Sequence, residues 1–140
     1  MRVIGFDNKE HPFRYTKNKH RKNRKKSKHH LEARELIKEL FPTNSVYEEP
    51  TLPGSKKLGR SSYLYADFFI PDYMLIIEVH GRQHYEYTSF FYKNKMDFVK
   101  AKQRDRDKIE WCEMNNFKIV ILPYNEKDIW KDLILKTTTS

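Results

Sequence analysis

Residues 67–84 contain side chains that can bind a cation or move a proton: Asp67, Glu78, His80, Gln83 and His84. In the segment LIIEVHG, side chains alternate along a strand. Glu78 and His80 therefore share one face, and Ile77 and Val79 take the other. Asp67 lies in the preceding apolar run, YLYADFFI, and Pro71 with Asp72 between the runs predicts a tight turn and a hairpin that sets Asp67 beside Glu78. Two adjacent carboxylates repel each other unless a cation lies between them. All-oxygen ligation of this kind suits Mg²⁺ or Mn²⁺ better than zinc. A single acid at a strand end is more often a solvated edge, but two on neighbouring strands followed by Gly81, Gln83 and His84 point to a site. Gly81 would end the strand and let a phosphate approach the backbone.

A second carboxylate position comes from a helix expected over 97–114. At about one hundred degrees per residue, Phe98, Ala101, Ile109 and Cys112 form a stripe with Asp105 in its middle, while Asp107 points away toward solvent. Asp105 is thus expected either in a structural bond or orienting a catalytic histidine. A first helix over 31–41 puts Ala33, Leu36, Ile37, Leu40 and Phe41 on one stripe, and Pro42 stops it. Glu32 borders that stripe and Glu35 lies further toward solvent; His29 and His30 read as part of the basic segment before it. A strand around Val46, a flexible loop whose Lys56, Lys57 and Arg60 could reach a nucleic-acid backbone, the two apolar strands, an aromatic and basic loop over 85–96, the strand KIVIL and a last helix over 127–135 complete the chain. The expected order is helix, three strands, helix, strand, helix: an α/β domain with a central mixed sheet flanked by helices.

Length and charge bound the rest. A chain of 140 residues suits one domain. The net charge of +9 lies entirely in residues 1–30, which hold eleven Lys or Arg against two acids. Residues 31–140 hold seventeen of each. The division expected is a disordered basic arm over 1–30 and a folded domain over 31–140. Residues 17–28 hold eight basic side chains and no apolar one, so Lys22, Arg24, Lys25 and Lys26 are candidates for contacts to a nucleic-acid backbone. A localisation signal would look the same. One cysteine, Cys112, excludes an internal disulfide and fits a reducing, cytoplasmic setting. No apolar run approaches the length of a membrane span.

The blocks ADFFIPDYMLIIEVHGRQHYEY and QRDRDKIEWCEMNNFKIVILPY together resemble the PD-(D/E)XK restriction-endonuclease-like superfamily over about residues 30–125. The closest likeness is to the branch containing very-short-patch repair endonucleases and phage homing endonucleases. The resemblance implies an αβββαβ core and metal-assisted hydrolysis of phosphodiester bonds in DNA. It places the metal on Asp67 and Glu78 with the Val79 carbonyl, and puts Gln83 and His84 at the site. Glu32 is the nearest match to the family's helix glutamate. His80 stands where the family more often has lysine, so His80 and His84 are both candidates to take the proton of the attacking water. Arg82, Lys93 and Lys95 are placed to grip the strand, and Tyr85, Tyr87, Phe90 and Phe91 to stack on bases or pack in a core. A DNA-binding protein without chemistry and an RNA-directed nuclease stay open beside the DNA endonuclease. So do a monomer and a homodimer.

Overall fold

The computed structural model describes residues 1–15 and 25–139. Most of the basic run, with Lys22 and Arg24, lies outside the described residues. Four strands form a mixed sheet in the order β3 (Tyr47–Glu48), β6 (Phe68–Ile70), β7 (Leu75–His80), β8 (Lys118–Pro123). β6 and β7 are antiparallel, and β7 and β8 are parallel, as a strand–helix–strand crossover requires. Helices α1 (Lys28–Leu40) and α3 (Trp130–Thr139) cover one face, and α2 (Lys95–Met114) covers the other. The chain is therefore α/β with helices on both sides of a mixed sheet. No helix among the described residues is long and apolar enough to cross a membrane.

Period-two alternation in β7 divides the core. Leu75, Ile77 and Val79 join Ala33, Ile37, Leu122 and Ile134 under α1 and α3. Ile76 joins Phe69, Trp111 and Cys112 under α2, and Glu78 and His80 continue that second face. α1 begins at Lys28, three residues before its first apolar side chain, because the Ser27 hydroxyl accepts the His30 N–H at 3.1 Å and caps it.

Two expectations need correction. Residues 1–15 are not an arm. β1 (Arg2–Ile4) and β2 (Glu10–Pro12) form a hairpin, and Val3 and Phe13 are buried against Leu52, Phe69, Trp111 and Phe117. The Asn115 side chain holds the hairpin like a strand edge, accepting the Ile4 N–H at 2.7 Å and donating to the Ile4 carbonyl at 3.0 Å. Gly5 and Gly54 meet so closely that a Cβ on Gly5 would lie 2.7 Å from the Gly54 Cα. The run 64–70 is also not one strand. β5 (Leu64–Tyr65) pairs with β4 (Thr51–Leu52) in a separate sheet, whereas β6 joins the central one. The break falls at Ala66 and Asp67, where the Asp67 N–H goes to a side chain instead of a ladder partner.

If the hairpin is part of the core, Phe13→Ala will lower unfolding stability in urea by about 3–5 kcal/mol, the usual range for emptying a buried phenylalanine site. A loss below about 1 kcal/mol would show that the hairpin is a detachable appendage.

Candidate active site

The interrupted strand sets the geometry. Asp67 lies opposite Glu78, and each supports the other's strand: Glu78 Oε2 accepts the Asp67 N–H at 2.7 Å, and Asp67 Oδ2 accepts the Val79 N–H at 2.7 Å. A strand residue points its N–H and C=O to the same side, so the Val79 carbonyl also faces Asp67. Asp67, Glu78 and Val79 line a polar cavity of about 280 Å³. An adjoining cavity of about 410 Å³ shares Asp67, Gln83, His84 and Lys108 with it and adds Asp105. A Cβ at Gly81 would meet Gln83 Oε1 at 2.6 Å, so this glycine leaves room for the glutamine side chain.

The unexpected member is Lys108. Its ammonium donates to Glu78 Oε1 at 2.6 Å from across the sheet face. This cation comes from α2, one helical turn beyond Asp105. Positions 105, 108 and 112 share a helix face, and a lysine between an inward aspartate and a buried cysteine was the signal available in the sequence. Glu78 is 1% exposed. Burial, followed by the Asp67 charge, pushes its carboxyl up to about 7 despite Lys108. Burial works against charge on Lys108 as well, but Lys108 faces both Glu78 and Asp67, and these anions raise it above the usual ammonium range.

Asp105 reaches the two histidines. Its Oδ2 lies 2.9 Å from His84 Nδ1 and its Oδ1 lies 4.0 Å from His80 Nε2. Burial opposes charge on Asp105, yet the bond to His84 together with the charges of His84, His80 and Lys108 outweighs it and holds the carboxyl below its ordinary range. The His80 and His84 rings stack at 3.9 Å with an interplanar angle of 8°. Burial, then the neighbouring His84, drives the His80 imidazole down to about 4, so it is neutral at neutral pH. Ligand atoms of His80, His84 and Asp105 lie within 4.8 Å of one another. Imidazole lone pairs lie in the ring plane, however, and two stacked rings direct them along parallel planes rather than to one point. The donor set better suited to a hard cation is Asp67, Glu78 and the Val79 carbonyl, all oxygen.

Several expected members are elsewhere. Glu32 does not join the site; it pairs with Lys127 at 2.6 Å and lies 3.9 Å from Lys28. α1 contributes His30 instead, which is buried, stacks on Phe68 and lies 2.7 Å from Glu48. Glu35 is exposed. Asp107 is not surface but 2% exposed, because the 55–60 loop covers a helix side that periodicity alone leaves to solvent. There it accepts from Lys57 at 3.1 Å, from Arg60 at 3.2 Å and from Gln103 at 2.9 Å. Lys57 and Arg60 are thus committed to an internal anion. Arg82 pairs with Glu86, and Lys26 with Glu49. Lys56 lies over the Tyr63 ring. Lys25, Lys93 and Lys95 are exposed, and Lys25 lines the cavity of Asp67 and Glu78. Tyr92 donates to the Gln83 carbonyl and Lys102 to the His84 carbonyl, fixing the segment that carries the imidazole.

No protein-family model matches the chain, and no solved structure matches it significantly. Three viral proteins are similar over parts of it. Uncharacterized protein 307L of Invertebrate iridescent virus 6 is 38% identical over 63 residues, which are 45% of this chain and 32% of that protein. Uncharacterized protein 094L of Frog virus 3 (isolate Goorha) is 44% identical over 54 residues, 38% of this chain and 35% of that protein. Uncharacterized protein 033L of Invertebrate iridescent virus 3 is 28% identical over 101 residues, 72% of this chain and 51% of that protein. The chain spans between a third and about half the length of these relatives.

The edge of the site supplies a pH test. Burial pushes Glu48 up, but His30 and Arg34 outweigh it and bring the carboxyl down to about 2. A value below the ordinary 4.5 means that this cluster's contribution is complete above that pH and disappears as pH falls toward 2. In urea titrations from about pH 5.5 down to pH 2.5, Glu48→Gln should remove part of the parent's acid loss. Parallel curves for the two proteins would show that Glu48 does not carry it.

Proposed function

We propose that this chain is a metal-dependent endonuclease that hydrolyses phosphodiester bonds in DNA. One observation carries the proposal: two adjacent carboxylates, an ammonium and a carboxylate-held imidazole converge on two adjoining cavities. Asp67 and Glu78, with the Val79 carbonyl, would hold Mg²⁺ or Mn²⁺. The bound ion would polarise a phosphate oxygen and acidify water. The all-oxygen character of these three groups fits such an ion, and neutralising the adjacent carboxylates, of which Glu78 is buried, would relieve their repulsion.

The protein's own groups divide the remaining work. When His84 Nδ1 carries the proton donated to Asp105, the opposite ring nitrogen holds a lone pair and can accept a proton from water. Asp105 fixes the tautomer and ring direction and stabilises the imidazolium that forms. His80 is buried and neutral, and it packs on the His84 ring, which suits it to orient the base rather than to act as one. Lys108 holds Glu78 in place and offers positive charge near the negative charge that grows on the phosphate. Lys25 lines the opening and can attract the strand. Cys112 has no part: burial pushes its thiol up to about 12, and an inert free thiol suits a reducing, cytoplasmic setting.

Supercoiled plasmid incubated with Mg²⁺ or Mn²⁺ should be cut by the parent protein and not detectably by Asp67→Asn. His84→Ala should slow cleavage by about a hundredfold or more, the scale of losing a general base, whereas His80→Asn should keep more activity than His84→Ala. Nicked circles as the product indicate a single site acting alone, and direct linearisation indicates two sites in a dimer. Equal cutting by the parent and Asp67→Asn would falsify the catalytic assignment. DNA binding without cutting by the parent would make the chain a binding protein, and preferential cutting of RNA would change its substrate.

A further inference from the structure

Leu58 is fully exposed, at 107% of its reference area, while Phe90 reaches 88%. Exposed leucines are ordinary on mobile or flat surfaces. This one stands at the tip of a rigid turn. Lys57 and Arg60 bridge, with Lys57 N–H to Arg60 O at 3.2 Å and Arg60 N–H to Lys57 O at 2.9 Å. Gly59, at φ +87°, supplies the left-handed backbone that a type II turn needs after its first central residue. The base of the turn is bolted to α2. Buried Asp107 takes both Lys57 and Arg60, Lys57 also reaches Glu110 at 2.7 Å, and Arg60 donates to the Ser55 and Ser62 carbonyls, each at 2.8 Å. The tip therefore loses little freedom on binding, which is the condition for an inserted side chain to contribute affinity.

The surroundings identify the occupant by charge. A cavity of about 330 Å³ at the foot of the turn is lined by Leu58, Gly59, Lys100, Arg104 and the Asp107 cluster. Lys100 and Arg104 are exposed, and Lys56 stands beside the turn over Tyr63. Arg104 also lines the next cavity, with Asp67, His84 and Lys108, and that cavity adjoins the one that Lys25 lines. The cavities form one track, cationic at both ends and carrying the carboxylates in its middle. A bare apolar tip flanked by cations suits polyanionic duplex DNA, into which leucine can wedge between base steps while the cations hold phosphates.

We infer that turn 57–60 is a DNA wedge, with Leu58 entering a base step at the far end of this track. The choice of DNA rests on the nuclease proposal, but wedge and chemistry can be tested apart. The full chain is titrated, in EDTA to prevent cleavage, into duplexes carrying 2-aminopurine at successive positions. Fluorescence should rise at a step unstacked by the parent protein. Leu58→Ala, which empties no core site, should lose most of that rise and about tenfold in affinity. Leu58→Phe should restore both, and Leu135→Ala, which removes an exposed leucine from α3 outside the track, should behave as the parent. Urea midpoints confirm that each variant is folded.

An unchanged signal in Leu58→Ala, or no binding by the parent, overturns the wedge. Loss of self-association in Leu58→Ala, with its DNA signal unchanged, also overturns it and assigns the tip to a contact between copies. If unstacking depends on Leu58 while the parent cuts no DNA, the nuclease proposal fails and the wedge stands. If cleavage depends on Asp67 but unstacking ignores Leu58, the reverse holds.

Discussion

The structure depends first on a buried carboxylate. Removing the Glu78 side chain from water on the face under α2 costs several kcal/mol unless its oxygens are satisfied. One oxygen takes the Asp67 N–H and the other takes the Lys108 ammonium. The first bond interrupts a strand that would otherwise continue from Leu64 to Ile70. It leaves β5 and β6 in different sheets and turns Asp67 toward Val79. The second fixes the register of α2 over the sheet. With Lys108 above Glu78, Asp105 one turn earlier falls beside His84, and Trp111 and Cys112 one turn later fall into the apolar core. One buried carboxylate, through its two oxygens, thereby sets both the break at Asp67 and the helix position that supplies a partner for the imidazole.

Elsewhere buried or half-buried acids also join elements. Glu48 on β3 gathers His30 and Arg34 and ties α1 to the sheet edge beside the cavity. Asp107 gathers Lys57 and Arg60 and ties the 55–60 loop to α2. The apolar clusters supply most of the driving force for folding, since burial is non-directional and scales with area. The acids supply direction, because each accepts bonds only from donors in defined places. This arrangement also consumes cations: Lys57, Arg60, Arg34 and Lys108 are all spent internally. Among the described residues, Lys25, Lys56, Lys93, Lys95, Lys100 and Arg104 are exposed, whereas Lys57 and Arg60, equally prominent in the sequence, are not.

Much of the candidate site was legible in the sequence. Period-two alternation put Glu78 and His80 on one face and Val79 on the other. A proline-marked turn put Asp67 beside Glu78, and helical spacing turned Asp105 inward. The alternation of helices and strands implied a mixed sheet with helices around it. These features are local, because the backbone repeat of a single element, or of two elements joined by a short turn, decides them.

What the sequence left open concerns elements distant along the chain. Aspartate suits a solvated helix face as readily as a buried ion pair, so Asp107 reads as an ordinary surface charge from helical spacing alone. The basic composition of residues 1–30 hid Val3 and Phe13, whose burial depends on Trp111 and Phe117 far along the chain. Glu32 and His30 lie close together on one helix, and only the path of β3 and the position of Lys127 decide which of them turns to the sheet. By itself the sequence determined which residues of an element share a face. The tertiary structure decided what each face meets, because that depends on the axial register of packed elements, which no repeat within one element encodes.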